Sequence, residues 1–227
     1  MNAKMTVKMS KSTVKLMSIS VLLAISACSS PERSRNLNDA SIPVGTTALQ
    51  VCANCHGAKG VSTSPNFPNL AAQTQPYIVK QLTAFRSHGR SDPEGYEYMW
   101  GLSAHLTDAQ IDGLAGYFSQ LSPPPGNQDQ FGTPAMLKEG QIIFEQGIAA
   151  AGVPTCTACH GAHAEGNDLF PRLAGQHADY LVKQLKVFQL TDQRPDGVAM
   201  KAVTHNLTPE NMLNVAAYLE SMAPISK

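Results

Sequence analysis

Apolar residues recur along this chain at helical spacing, and no stretch reads as a convincing alternating strand. Ile78, Leu82 and Phe85 fall at i, i+4 and i+7, with Lys80 and Gln81 turned to the other side, which predicts a helix over Pro76 to Phe85. Ile111, Leu114, Ala115 and Phe118 repeat at i, i+3, i+4 and i+7, and so do Met212, Val215, Ala216 and Leu219. Thr107 with Gln110 forms a capping box before the first of these runs, and Thr208 with Pro209 opens the second. Met136 to Gln146 is also helix-like, with Ile142 and Ile143 apolar and Gly147 as a stop. The pattern predicts an all-α chain.

Two other stretches organise the sequence. Lys4, Lys8, Lys11 and Lys15 precede an apolar run from Leu16 to Ala27, too short to span a bilayer, and the run ends in Ile25-Ser26-Ala27-Cys28. Residues 1–27 therefore have the form of an export signal. Residues 28–43 are polar and aperiodic and read as a tether. Ser122-Pro123-Pro124-Pro125-Gly126 begins a stiff, turn-rich segment, 122–133, that separates residues 44–121 from residues 134–227.

The two sides of that break are copies. Phe67 to Phe85 aligns without gaps to Phe170 to Phe188, and Phe, Pro, Leu, Ala, Gln, Tyr, Val, Lys, Gln, Leu and Phe coincide at 11 of 19 positions. CxxCH, Phe-Pro-x-Leu-Ala, Tyr-x-Val-Lys-Gln-Leu, a methionine, Leu-Thr and a last Tyr follow in the same order in both. A solenoid needs three or more stacked repeats, so two copies predict tandem domains.

Composition sharpens the problem these domains face. Aromatic residues make up only 6% of 227, thin for two domains of under about a hundred residues each, so a non-protein group is expected to fill the core. The whole chain is neutral, with 17 basic and 17 acidic residues. Removing residues 1–27 takes four lysines and no acids, leaving 13 against 17, or −4. No basic stripe or interleaved aromatic pattern points to nucleic acid.

Four of the five cysteines sit in "CANCHG" (Cys52, Cys55, His56) and "CTACHG" (Cys156, Cys159, His160). A redox-active Cys-x-x-Cys calls for a thioredoxin-like βαβ setting, which the pattern lacks, and structural zinc would more naturally take four close ligands from one small unit. The third chemistry is covalent c-type haem, both thiols adding to the porphyrin vinyl groups and the histidine ligating iron. On a helix the three side chains fall within about one turn, so thioethers and imidazole meet the ring from one face. Two copies behind an export signal favour haem, because bacterial haem attachment takes place outside the cytoplasm.

With these motifs both halves resemble class I cytochrome c domains, and Gly45 to Ala223 resembles the dihaem cytochrome c4 family. The resemblance implies two covalently bound haem c groups, at Cys52 and Cys55 and at Cys156 and Cys159. It implies His56 and His160 as iron ligands, and Pro68 and Pro171 as carbonyls that accept from the two imidazoles. It also implies a methionine opposite each histidine. Met99 lies 7 residues before Leu106 and 18 before Tyr117, Met200 stands at the same distances from Leu207 and Tyr218, and each sits between predicted helices. Met136, Met212 and Met222 lack counterparts and read as core or surface; His88, His105, His163, His177 and His205 read as solvated or hydrogen-bonding. Gln73 with Gln176 and Tyr77 with Tyr180 also align, with haem packing or propionate contacts as roles open to them. Ile25 to Cys28 resembles the lipobox of bacterial lipoproteins, so Cys28 is expected to carry lipid, with Ser29 directing the protein to the outer membrane; the bland alternative is an ordinary signal with an incidental cysteine.

Iron held by histidine and methionine has both axial positions filled, which suits one-electron transfer at fairly high potential. The expected function is thus a membrane-tethered, periplasmic electron carrier, not an enzyme, between a quinol-oxidising complex and a terminal oxidase or reductase. Two alternatives remain. One is a dedicated cytochrome subunit of a periplasmic dehydrogenase; the other is a dihaem enzyme such as a peroxidase, which needs an open or displaceable ligand.

Overall fold

Thr107 and Thr208 open the last helix of each copy as the capping pattern predicts. The computed structural model of the chain describes residues 37, 39–93, 95–127 and 132–223; the expected signal, Cys28 and most of the tether lie outside them. The first copy runs α1 (Val44–Thr47), a π-helical turn (Ala48–Cys52), α2 (Ala53–His56), α3 (Gln75–Arg86), a second π-helical turn (Gly95–Met99), α4 (Trp100–Ser103) and α5 (Asp108–Ser119). The second runs α6 (Pro134–Gln146), α7 (Thr157–His160), α8 (Ala178–Leu190), α9 (Val198–Thr204) and α10 (Pro209–Ser221), with short 3-10 turns before α7 and α9. Among the described residues there is no strand, only the isolated bridges Ile148 to Val153 and Asn167 to Phe170. No described helix is long and apolar enough to cross a membrane.

Local chemistry accounts for the ends. Thr107 Oγ1 accepts from Gln110 N–H while Gln110 Oε1 accepts from Thr107 N–H at 2.9 Å. Thr208 forms the same box with Asn211, a partner the sequence pattern did not single out. Gly147 ends α6 with a φ of +70°, in the left-handed region.

Each copy buries the apolar stripe of its last helix. Ile111, Leu114, Ala115 and Phe118 pack with Ile78 of α3 and Ala48 of the first π-helical turn. Val215, Ala216 and Leu219 pack with Ile143 and Phe144 of α6 and Leu181 and Val182 of α8. Met212 joins a small neighbouring cluster with Val153 and Leu207 and is 1% exposed. Cys52 lies against the first core and Cys156 against the second, so each CxxCH begins where its core is.

The first helix of each copy crosses the last at a small residue. In the second copy a Cβ on Gly140 of α6 would stand 2.0 Å from the Asn214 backbone oxygen of α10; in the first copy the glycine is on the last helix, Gly113 against Val44.

The copies are joined by more than the chain between them. Ser91 N–H donates to Gln193 O at 2.8 Å, and Arg90 and Arg194 reach the hydroxyls of Tyr180 and Tyr77 in the opposite copy at 3.3 and 3.2 Å. Pro124 of the connecting segment is buried against Gly175, and both copies belong to one compact unit, Leu37 to Lys227.

Candidate functional site

Both CxxCH motifs are helical at their histidines, as one-face presentation requires. His56 closes α2 and His160 closes α7, and both are buried. Gly57 and Gly161 follow with φ of +80° and +85°, and a Cβ at Gly57 would stand 2.0 Å from the Val61 backbone oxygen, so glycine is what lets the chain turn away after each histidine.

The histidine rings are fixed in matching ways. His56 Nδ1 is 2.9 Å from the Pro68 carbonyl oxygen, and His160 Nδ1 is 2.9 Å from that of Pro171. A carbonyl only accepts, so Nδ1 carries the proton in both rings and Nε2 keeps its lone pair for a metal. Burial holds both imidazoles below the ordinary histidine range, with the proline carbonyls pulling the other way, and the neutral ring is the ligating form. Phe67 stands edge-on to His56 and Phe170 edge-on to His160, with centroids 6.3 Å apart in each pair.

Burial pushes the Cys52 and Cys156 thiols up to about 11. A redox-active Cys-x-x-Cys needs the opposite, a depressed thiol, so the environment disfavours that chemistry. Among the described residues no three His, Cys, Asp or Glu side chains gather as a metal cluster, which also fails to supply a zinc site.

Met99 ends the second π-helical turn and Met200 lies inside α9, so both stand on short helical segments where the pattern had placed a connection between helices. Each carbonyl is tied four residues on: Ser103 Oγ donates to Met99 O at 2.6 Å, and Thr204 Oγ1 donates to Met200 O at 2.8 Å. Ser103 and Thr204 are fully buried. Their equal distance from the two methionines was the available sequence signal. Tyr98 stands edge-on to Phe67 at 5.8 Å, linking the Met99 segment to the ring beside His56.

The other histidines fall elsewhere. His88 stacks on Trp100 at 4.1 Å, and His177 Nε2 lies 3.1 Å from Ser62 O of the other copy. Gln73 and Gln176, for which haem contacts were open, instead bond to backbone across the junction.

A haem c fits what is present. Each copy offers two thiols and a neutral imidazole from one turn, beside its core. Arg172, directly after Pro171, is 5% exposed, and its Nε and Nη2 meet no hydrogen-bond acceptor. Glu165 lies close enough to act on its charge, but those two nitrogens still lack an acceptor, and haem brings two propionate carboxylates.

Comparison with known proteins agrees. The Cytochrome c family profile matches residues 45–122 and 137–223. The chain is 35% identical over 187 residues to cytochrome c4 of Stutzerimonas stutzeri, covering 78% of this chain and 87% of that protein. It is 32% identical over 178 residues to a thiosulfate dehydrogenase electron acceptor of Thiomonas intermedia, covering 77% and 80%. The solved structure of Acidithiobacillus ferrooxidans cytochrome c4 superposes with a TM-score of 0.70 at 38% identity, covering 75% of this chain and 97% of that one. Two tandem cytochrome c domains carry two covalently bound haem c groups, and the chain belongs to the cytochrome c family in its dihaem cytochrome c4 branch.

Proposed function

We propose that Cys52 with Cys55 and Cys156 with Cys159 hold the two haems, that His56 and Met99 ligate one iron and His160 and Met200 the other, and that the chain shuttles single electrons between respiratory partners in the periplasm. Held by these residues, a haem c would supply one-electron chemistry, with histidine and methionine leaving no ligand place for a substrate. The observation that carries this reading is the doubled arrangement itself, a neutral imidazole pinned by a proline carbonyl and a methionine segment pinned by a buried hydroxyl, in both copies.

The protein's own groups do the positioning. The carbonyls of Pro68 and Pro171 set ring orientation and, by drawing on Nδ1–H, raise the basicity of Nε2. Ser103 and Thr204 tie the backbone carbonyls of Met99 and Met200, which fixes where each methionine side chain leaves the main chain. The junction keeps the two halves in one unit, which favours transfer between them.

Lipid anchoring through Cys28, in the outer membrane, belongs to the same proposal and rests on the lipobox-like run before it. A Cys28→Ser variant is expected to move from the membrane fraction to the soluble periplasm; equal membrane retention would remove the anchor.

The Thiomonas relative favours a second reading, a dedicated electron acceptor for a dehydrogenase. Purification from native membranes decides between the two. A fixed stoichiometric dehydrogenase would mark a subunit, and a haemoprotein free of stable partners would mark a shuttle.

A further inference from the structure

Each copy holds, with one glutamine, the peptide on which the other copy's histidine rests. Gln73 Oε1 accepts from Arg172 N–H at 2.7 Å, and Gln73 Nε2 donates to Arg172 O at 3.1 Å. Gln176 Oε1 accepts from Asn69 N–H at 2.8 Å, and Gln176 Nε2 donates to Asn69 O at 2.9 Å. Both glutamines are buried, at 5% and 6% exposed.

The N–H groups so held are not incidental. Arg172 N–H and the Pro171 carbonyl are two ends of one peptide group, and Asn69 N–H and the Pro68 carbonyl are two ends of another. The Pro171 carbonyl accepts from His160 and the Pro68 carbonyl from His56, each at 2.9 Å. Two unbroken chains therefore cross the junction. One runs from Gln73 through the 171–172 peptide to His160, the other from Gln176 through the 68–69 peptide to His56.

Hydrogen bonds at the two ends of a planar amide strengthen each other, because drawing on the N–H shifts electron density to the carbonyl oxygen. A more electron-rich carbonyl draws harder on Nδ1–H, and the imidazole becomes a better donor at Nε2. We propose that Gln73 and Gln176 are crossed positioning residues, each tuning the reduction potential of the haem in the opposite copy. The inference rests on His56 and His160 being iron ligands. Better donation from Nε2 favours ferric iron, so each glutamine holds the opposite potential down.

The test is a redox titration of the full-length, haem-loaded protein carrying Gln73→Leu or Gln176→Leu. The two centres are followed separately by the hyperfine-shifted proton resonances of their methionine ligands. Gln73→Leu is expected to shift the second copy about two- to threefold toward ferrous iron, roughly 20–30 mV at 59 mV per tenfold change, and to leave the first unchanged. Gln176→Leu is expected to do the reverse. Gln73→Met, which keeps the length and loses both bonds, carries the same prediction if the leucine variant fails to fold. His160 Nδ1–H should also exchange faster with solvent in the Gln73 variants.

Thr74→Val is the control. It removes the Thr74 Oγ1 bond to Asp168 O across the same junction without touching either peptide, and is expected to leave both potentials in place. A shift in the variant's own copy, equal shifts in both copies, no shift, or an equal shift from Thr74→Val would each overturn the crossed assignment. Failure of the ligand assignment shows separately, as a wild-type spectrum without histidine and methionine ligation.

Discussion

Asp92 accepts two hydrogen bonds from Arg90, Nε to Oδ1 at 2.6 Å and Nη2 to Oδ2 at 3.2 Å, and both side chains are buried at the junction of the two copies. Gln184 of the second copy also donates to Asp92 Oδ2, at 3.1 Å. Burial alone would raise the Asp92 carboxyl, but the bonds and charge of Arg90, with Gln184, outweigh it and hold it below the usual carboxylate range.

Asp92→Ala would leave Arg90 buried without its carboxylate, a change that costs about 3–5 kcal/mol. Guanidinium unfolding of the haem-loaded protein should show this loss at pH 7. A group with a depressed folded pKa contributes its full stability above the unfolded value, about 3.9, and loses it as pH falls through the folded one. The gap between wild type and variant should therefore hold down to about pH 5 and shrink below about pH 4. A gap that widened in acid would contradict the pairing.

Gly140→Ala should be costly despite the higher helix propensity of alanine. The added Cβ would stand 2.0 Å from the Asn214 backbone oxygen, so the helices must part. Overpacking of this kind costs about 1–3 kcal/mol, read as a lower thermal midpoint. An unchanged midpoint would mean that α6 and α10 do not cross there.

The haem is expected to be part of the core. A chain with Cys52→Ala, Cys55→Ala, Cys156→Ala and Cys159→Ala should lose most of its far-ultraviolet dichroism, since a group bound only by the folded state stabilises it by linkage. Native helix content in that variant would show that the protein side chains suffice.

Much of this fold was legible because its signals are local. The stripes on α5 and α10, the Thr107 box and the Gly147 stop are set within a few residues of each other, and the duplication placed Met99 and Met200 in register. The junction was not legible, because its bonds join residues about a hundred positions apart. Gln73 and Gln176 were visible as an aligned pair, yet nothing in their surroundings says that they bond to backbone in the opposite copy. Arg90 and Arg194 each lie over a phenylalanine ring, Phe85 and Phe188, at 4.5 Å, but they stand five and six residues past it, so a gapless comparison misses them. Asp92 and Asp196 both stand two residues past those arginines. Only the first is buried; Asp196 faces Lys80 at 3.7 Å, half-exposed.

The central claim is that histidine and methionine fill both axial positions in each copy. A spectroscopic redox titration of Met99→Ala and Met200→Ala against wild type tests it most directly. Each variant should lose the methionine-to-iron charge-transfer band of one haem and lower one of the two potentials, leaving the other in place. If neither substitution changes spectrum or potential, the methionines are not ligands and the account fails.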